Sequence, residues 1–314
     1  WLALKGLATV GMIATFISYG RRFIQPLRRL ANIYNDIQAA LAGAERVFEI
    51  IDTPPELDDA AGAVALEKIR GEVTFEHVRF GYLPDVPVIK DMSQAVAPGQ
   101  AVALVGPTGA GKTTLVNLLA RFYDVDSGAI RVDGQDIRLV QKASLRRQLG
   151  IVLQDSYLFS RTVMENIRYG RLSATDDDCI AAAKMADADY FIHQLPKGYQ
   201  TPLSERGSNL SQGQRQLLTI ARAILADPRI LILDEATSSV DTRTEARIQK
   251  SLLRLMAGRT SFVIAHRLST IRDADEILVI QDGEIVERGS HADLLEKQGV
   301  YHHLYLSQFK GQHI

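Results

Sequence analysis

The sequence is short of three things: cysteine, charge of one sign, and apolar runs long enough to span a bilayer. The single cysteine, Cys179, can form no disulfide within the chain, which fits a reducing cytosol. Its setting, CIAAAKMA, makes it a helix-packing residue rather than a reactive thiol. Lys and Arg total 36 against 37 Asp and Glu, so no global field draws the chain to nucleic acid, and no such partner is expected. There is no internal repeat and no low-complexity tract. The first residue is Trp1 and no basic segment precedes the apolar stretch, so no secretory signal peptide is expected, and the chain reads as a piece of something longer. Leu2 to Tyr19 is mostly apolar but is broken by Lys5 and Gly6, leaving less than the ~20 residues that cross a bilayer. Two readings of it stand: a buried soluble helix, or a membrane helix emerging on the cytoplasmic side. The cluster Arg21, Arg22, Arg28 and Arg29 on its downstream flank favours the second.

What is present suffices for a large folded body. The chain has 314 residues, 46% hydrophobic and 23% charged, enough for one large domain or two ordinary ones. Beyond Pro26, apolar residues recur at Leu30, Ile33, Ile37, Leu41, Ala44, Val47, Phe48 and Ile51, an amphipathic helix continuing out of the apolar stretch. Pro54 and Pro55 end it, and the acidic, Ala-rich run from Glu56 to Ala65 reads as an interdomain linker. From Gly71 the pattern changes to β-rich runs, Val73 to Phe80 and Ser93 to Val96, which predict an antiparallel portion. Strands predicted at Ala101 to Val105, Ile151 to Leu153, Ile230 to Asp234 and Ser261 to Ala265 alternate with helices, implying a mainly parallel sheet covered on both faces. An all-helical insertion, about 173–226, interrupts them, with helices near Asp176 to Leu195 and Gln212 to Leu225.

The motif around which this arrangement is organised is AVALVGPTGAGKTT, Ala101 to Thr114. An apolar strand ends in a Gly-rich turn that opens a helix near Lys112. Glycines at 106, 109 and 111 let the backbone wrap a polyphosphate, with successive N–H groups and the positive helix end facing anionic oxygens. Lys112 adds a charge for the β- and γ-phosphates, and the Thr113 hydroxyl suits Mg²⁺, a hard ion that prefers oxygen. Farther on, ILILDEATSS ends a buried strand in two carboxylates. In a parallel sheet these would lie beside the phosphate loop, Asp234 for the hydration shell of Mg²⁺ and Glu235 to accept a proton from an attacking water. The stretch NLSQGQRQLLTIARAIL opens a helix at Ser211 with Gln214 three residues on, a capping box that is also an anion-binding helix end.

The motifs GPTGAGKTT, VLQD, LSQGQ, LILDE, SSVD and the isolated His266 follow the order and spacing of the nucleotide-binding domain of ATP-binding cassette (ABC) transporters, and the chain resembles that family from about Gly71 to Gln308. The resemblance implies a P-loop NTPase fold with an antiparallel β subdomain and a helical insertion. It implies ATP and Mg²⁺ as ligands. Gly106, Pro107, Thr108, Gly109, Ala110, Gly111, Lys112, Thr113 and Thr114 become the phosphate loop, and Tyr82 the adenine-stacking aromatic. Thr113, Gln154 and Asp234 become the metal ligands, Gln154 also reaching the attacking water, and Glu235 the catalytic base. His266 becomes the γ-phosphate contact and Asp241 part of a dimer-contacting loop. Ser211, Gly213 and Gln214 become the signature that completes the ATP site of a second half-transporter subunit, the same chain or a paralogue. Gln212 departs from the commonest signature, which has glycine there. Thr201 to Gly207, TPLSERG, resembles an exporter loop that touches the membrane domain through Glu205 and Arg206.

On this reading residues 1–52 are the end of a transmembrane domain, 53–70 a linker and 71–314 the nucleotide-binding domain. The expected function is ATP-driven export of a small-molecule or lipid substrate across the cell (inner) membrane, with the nucleotide-binding domain in the cytoplasm. The rivals are a soluble cassette ATPase outside transport and a nucleotide-dependent module without turnover.

Overall fold

The computed structural model describes residues 1, 4–7, 9–53, 59–153, 157–234, 242–265 and 268–308. The chain divides into two compact units, Trp1–Asp58 and Asp59–Ile314. The first unit is one long helix, α1 (Val10–Ile51), which begins where the Thr9 hydroxyl accepts the Met12 N–H at 3.2 Å. Gly6, at φ 72°, lies ahead of it, and Pro26 is accommodated inside it. None of its residues is buried; Phe16, Phe23, Leu30 and Phe48 all face outward. Among the described residues no helix is long and apolar enough to cross a membrane. In α1 the length suffices, but Arg21, Arg22, Arg28 and Arg29 interrupt the apolar stretch. Pro54 and Pro55, the expected terminators, lie outside the described residues, and the helix ends as the Asp52 N–H meets the Phe48 carbonyl at 2.7 Å.

The second unit runs β1 (Val73–Phe80), β2 (Ile89–Val96), β3 (Ala101–Val105), α2 (Lys112–Leu119), β4 (Ser127–Val132), β5 (Gln135–Asp136), α3 (Lys142–Arg147) and β6 (Leu149–Val152). Then follow α4 (Val163–Arg168), α5 (Asp176–Met185), α6 (Asp189–His193), α7 (Gln212–Ala226), β7 (Ile230–Asp234), α8 (Thr242–Met256) and β8 (Thr260–Ile264). The unit closes with α9 (Leu268–Arg272), β9 (Glu276–Gln281), β10 (Glu284–Gly289), α10 (His291–Glu296) and α11 (Val300–Gln308).

The strands form one ten-stranded sheet in the order β5-β4-β1-β2-β10-β9-β3-β8-β7-β6. From β9 to β6 every neighbour is parallel, while β4 and β2 flank β1 antiparallel. The parallel strands are mostly apolar because both faces are covered over most of their length. Ala103, Val105, Leu231 and Leu233 point into one core, with α5, α7 and α8; Val102, Leu104, Ile230 and Ile232 point into the other, with α2 and the antiparallel strands. The period-two split of single strands between two cores is what the pleat demands.

The structure refines the expected helix over Asp176 to Leu195. It is two helices, α5 and α6, because Asp187 takes a left-handed φ of 54°. The antiparallel hairpin β9–β10 is an addition to the sequence-based strands, turning at Asp282 and Gly283, both at positive φ.

Candidate functional site

The loop between β3 and α2 is held open by glycines at positions where nothing else fits. Gly106 has φ 155°, and a Cβ there would stand 2.0 Å from the Ile280 carbonyl oxygen. Gly111 caps α2 at φ 103°, where a Cβ would press Ile89 Cδ1 at 2.7 Å. As a glycine it offers no side chain to the first N–H groups of α2, which leaves that helix end presented to an anion. Neither Ile280 nor Ile89 carries a chemical group that a sequence motif would flag, yet both shape the loop.

Lys112 is folded back into this loop. It is only 8% exposed, and its Nζ donates to the carbonyls of Gly106 (2.7 Å) and Pro107 (2.8 Å). Burial pushes its pKa below the usual lysine value, and the negative charge of Asp234 opposes that shift. The strand register explains the coupling. Asp234 pairs with Ile264 of β8, and Ile264 pairs with Leu104 of β3, so Asp234 ends its strand at the level where the phosphate loop begins. The two lie two strand spacings apart, ~10 Å, on one rim. Thr113 is exposed at the first turn of α2, and Thr114, next to it, is buried.

Tyr82 stands beside that turn. Its hydroxyl donates to Thr114 Oγ1 at 3.2 Å, its ring meets Phe80 and Tyr123 edge-on with centroids 5.1 Å away, and it remains 47% exposed. Tyr123 therefore props Tyr82, a role its position after α2 did not signal.

The start of α7 is a complete capping box. Ser211 Oγ accepts the Gln214 N–H at 3.2 Å and Gln214 Oε1 accepts the Ser211 N–H at 2.9 Å. With its oxygen so engaged, the exposed serine keeps its O–H proton as a donor toward solvent. Gly213 is buried. Gln212 occupies the first helical position with no left-handed φ, so the departure from glycine imposes no backbone strain there.

The 201–207 loop is tied to the start of α4. The Leu203 N–H donates to the Arg161 carbonyl at 2.9 Å and the Val163 N–H to the Thr201 carbonyl at 3.1 Å. Glu205 begins a short 3-10 turn in which Arg206 takes a left-handed φ of 56°. Of the other expected site residues, Gln154, Glu235, Asp241 and His266 lie outside the described residues. Their neighbours Val152, Asp234 and Ile264 end adjacent parallel strands.

This arrangement has relatives. Residues 89–238 match the family described as ABC transporter. A fatty acid ABC transporter ATP-binding/permease protein of Mycobacterium bovis is 56% identical over 95% of this chain and 47% of its own length. The ABC transporter ATP-binding protein YfiC of Bacillus subtilis, itself uncharacterized, is 53% identical over 98% of this chain and 51% of its own. A solved structure described as a bacterial Atm1-family ABC exporter with ATP bound superposes with a TM-score of 0.79 at 45% identity, over 96% of this chain and 53% of that one. The chain thus spans about half the length of the curated relatives it matches. With the phosphate-loop geometry, the sheet order and these likenesses in agreement, the chain belongs to the ABC transporter family, residues 89–238 being the matched domain.

Proposed function

We propose that the chain is the ATPase portion of an ABC exporter half-transporter, with residues 1–52 forming the end of its transmembrane domain. The observation that carries this reading is the shared rim: the Lys112 ammonium, held by loop carbonyls, feels the carboxylate of Asp234 from the neighbouring part of the sheet. In this reading the amides of Gly106 to Thr114 and Lys112 neutralise the phosphates of ATP, and Tyr82 stacks on its adenine. The donor set fits Mg²⁺, since the Thr113 hydroxyl and the Asp234 carboxylate are hard oxygen groups at one rim, with Gln154 as a further ligand. Bound there, the ion would offset charge on the β- and γ-phosphates. Glu235 takes the proton of the attacking water, Gln154 orients that water and His266 contacts the γ-phosphate.

Ser211, Gly213 and Gln214 complete the site of a second subunit, whose identity as the same chain or a paralogue is open, and Asp241 lines the contact between the two. Support for a lipid or small-molecule cargo comes from the fatty acid transporter among the relatives. Membrane-embedded relatives likewise support a place in the cell (inner) membrane, with the ATPase on the cytoplasmic side. A soluble cassette ATPase is the rival. Fractionation of the parent protein separates the two: recovery with membranes supports the exporter, and recovery in the soluble fraction overturns it. For the site itself, Lys112→Ala should abolish binding of MgATP measured by titration calorimetry, and unchanged affinity would refute the cradle.

A further inference from the structure

The turn after α2, residues 121–126, belongs to none of the motifs, yet it holds the segment around Tyr82 at three points. The Tyr123 ring lies 5.1 Å from that of Tyr82, centroid to centroid, at 86°. Asp126 Oδ2 accepts the N–H of Gly81, the residue just before Tyr82, at 2.9 Å. The Asp126 N–H donates to the Arg79 carbonyl at 2.9 Å. Phe80, buried at the end of β1, completes a triangle of rings, 5.1 Å from Tyr82 and 5.5 Å from Tyr123.

The turn is itself stiff. Arg121, 2% exposed and at a left-handed φ of 50°, donates through Nε to Asp124 Oδ1 at 3.0 Å and through Nη1 to the Val140 carbonyl at 2.9 Å. Arg146 of α3 donates to the carbonyls of Ala120 at 3.2 Å and Arg121 at 2.8 Å, closing the carboxyl end of α2. Such a matched, buried cation resists displacement, because losing a partner leaves its charge uncompensated. At the opposite end of α2 the Tyr82 hydroxyl donates to Thr114, itself buried. The helix, eight residues or ~12 Å long, thus starts at the phosphate loop and ends at the turn that steadies the Tyr82 ring.

We propose that Tyr123 is a positioning residue for the nucleotide base, acting through Tyr82: with Asp126 it holds the exposed Tyr82 ring ready to stack. The proposal rests on the adenine-stacking role given above to Tyr82. An exposed side chain on a loop would otherwise have to be ordered when the base arrives, and that cost would come off the affinity. Ring-on-ring contact removes it in advance. One rigid element, α2 with its flanks, then sets the span between phosphates and base.

Titration calorimetry of the full 314-residue chain with MgADP and with magnesium pyrophosphate tests it, neither probe carrying a γ-phosphate. Tyr82→Ala and Tyr123→Leu should each weaken MgADP binding, the second by about 2- to 10-fold, the scale of one aromatic pair, and leave pyrophosphate binding in place. In the double variant the loss equals that of Tyr82→Ala alone, because the effect passes through the Tyr82 ring. Tyr123→Phe, which keeps the ring, restores the parent affinity. MgADP affinity unmoved by Tyr82→Ala would refute the stacking reading itself. If Tyr82→Ala weakens MgADP and Tyr123→Leu does not, or if the two losses add, the positioning role is overturned while the platform stands. An equal loss of both probes in Tyr123→Leu also overturns it, since that is what a merely structural defect produces. If Tyr123→Leu lacks a cooperative thermal transition, Asp126→Ala decides by the same cycle.

Discussion

On one side of the sheet the strands from β9 to β6 run parallel and stop at a common rim; on the other, β1 turns back against both β2 and β4. The parallel side collects reactive groups, because all its strands deliver their carboxyl ends to one edge. Lys112 and Asp234 both lie at that edge. The antiparallel side spreads its ends over two edges and contributes mostly packing, Val73, Phe75 and Val78 lying buried on one face. It reaches the site through Tyr82, two residues past the end of β1, and through Ile89 of β2 against Gly111. The lesson is that chemistry gathers on one half of a continuous sheet while both halves share in the packing.

The comparison is sharpest at its extremes. Glu235→Gln should still bind MgATP yet hydrolyse it at least ~100-fold more slowly, the scale of a lost proton acceptor. A phosphate-release assay beside a binding isotherm reads both, and unchanged turnover would remove the base from the parallel rim. Conversely Phe75→Ala, in the antiparallel core and edge-on to Phe262 at 6.0 Å, should cost ~3–5 kcal/mol in denaturant unfolding while the folded fraction retains its turnover. A large loss of specific activity in that variant would show the halves to be mechanically joined.

Tyr82→Ala tests the border. Loss of a stacked base should weaken ATP binding by ~1–3 kcal/mol, with kcat at saturating nucleotide nearly unchanged. Loss of kcat instead would place Tyr82 in the hydrolytic step. Least affected should be Arg131→Gln, which removes the exposed ion pair to Glu76 across β1 and β4 at 2.9 Å. Its free energy of unfolding in urea should change by less than ~1 kcal/mol and its turnover not at all, as surface pairs contribute little.

Much of this division was legible residue by residue. Val73 to Phe80, Ala101 to Val105 and Ile230 to Asp234 are strands with the expected ends, since each is a short apolar or alternating run with a sharp boundary. The cap at Ser211 was likewise local, a serine with glutamine three residues on. What was not legible depends on partners distant in sequence. Nothing near Gly106 announces that the Ile280 carbonyl from β9 lies against it, or that β9 adjoins β3. Asp187, which breaks the helix after α5, is an ordinary polar residue in a helical pattern until its φ is known. Asp282-Gly283 did carry a hairpin signal, and the run EILVIQ before it was a readable strand.

The posture of Lys112 has a thermodynamic consequence. Two main-chain oxygens already steady its ammonium, so the turn keeps its shape through internal contacts. An incoming triphosphate then trades one set of oxygen ligands for another instead of ordering a slack segment. Such an exchange gives up little conformational entropy, and calorimetry should register it without the heat-capacity change that accompanies coupled folding.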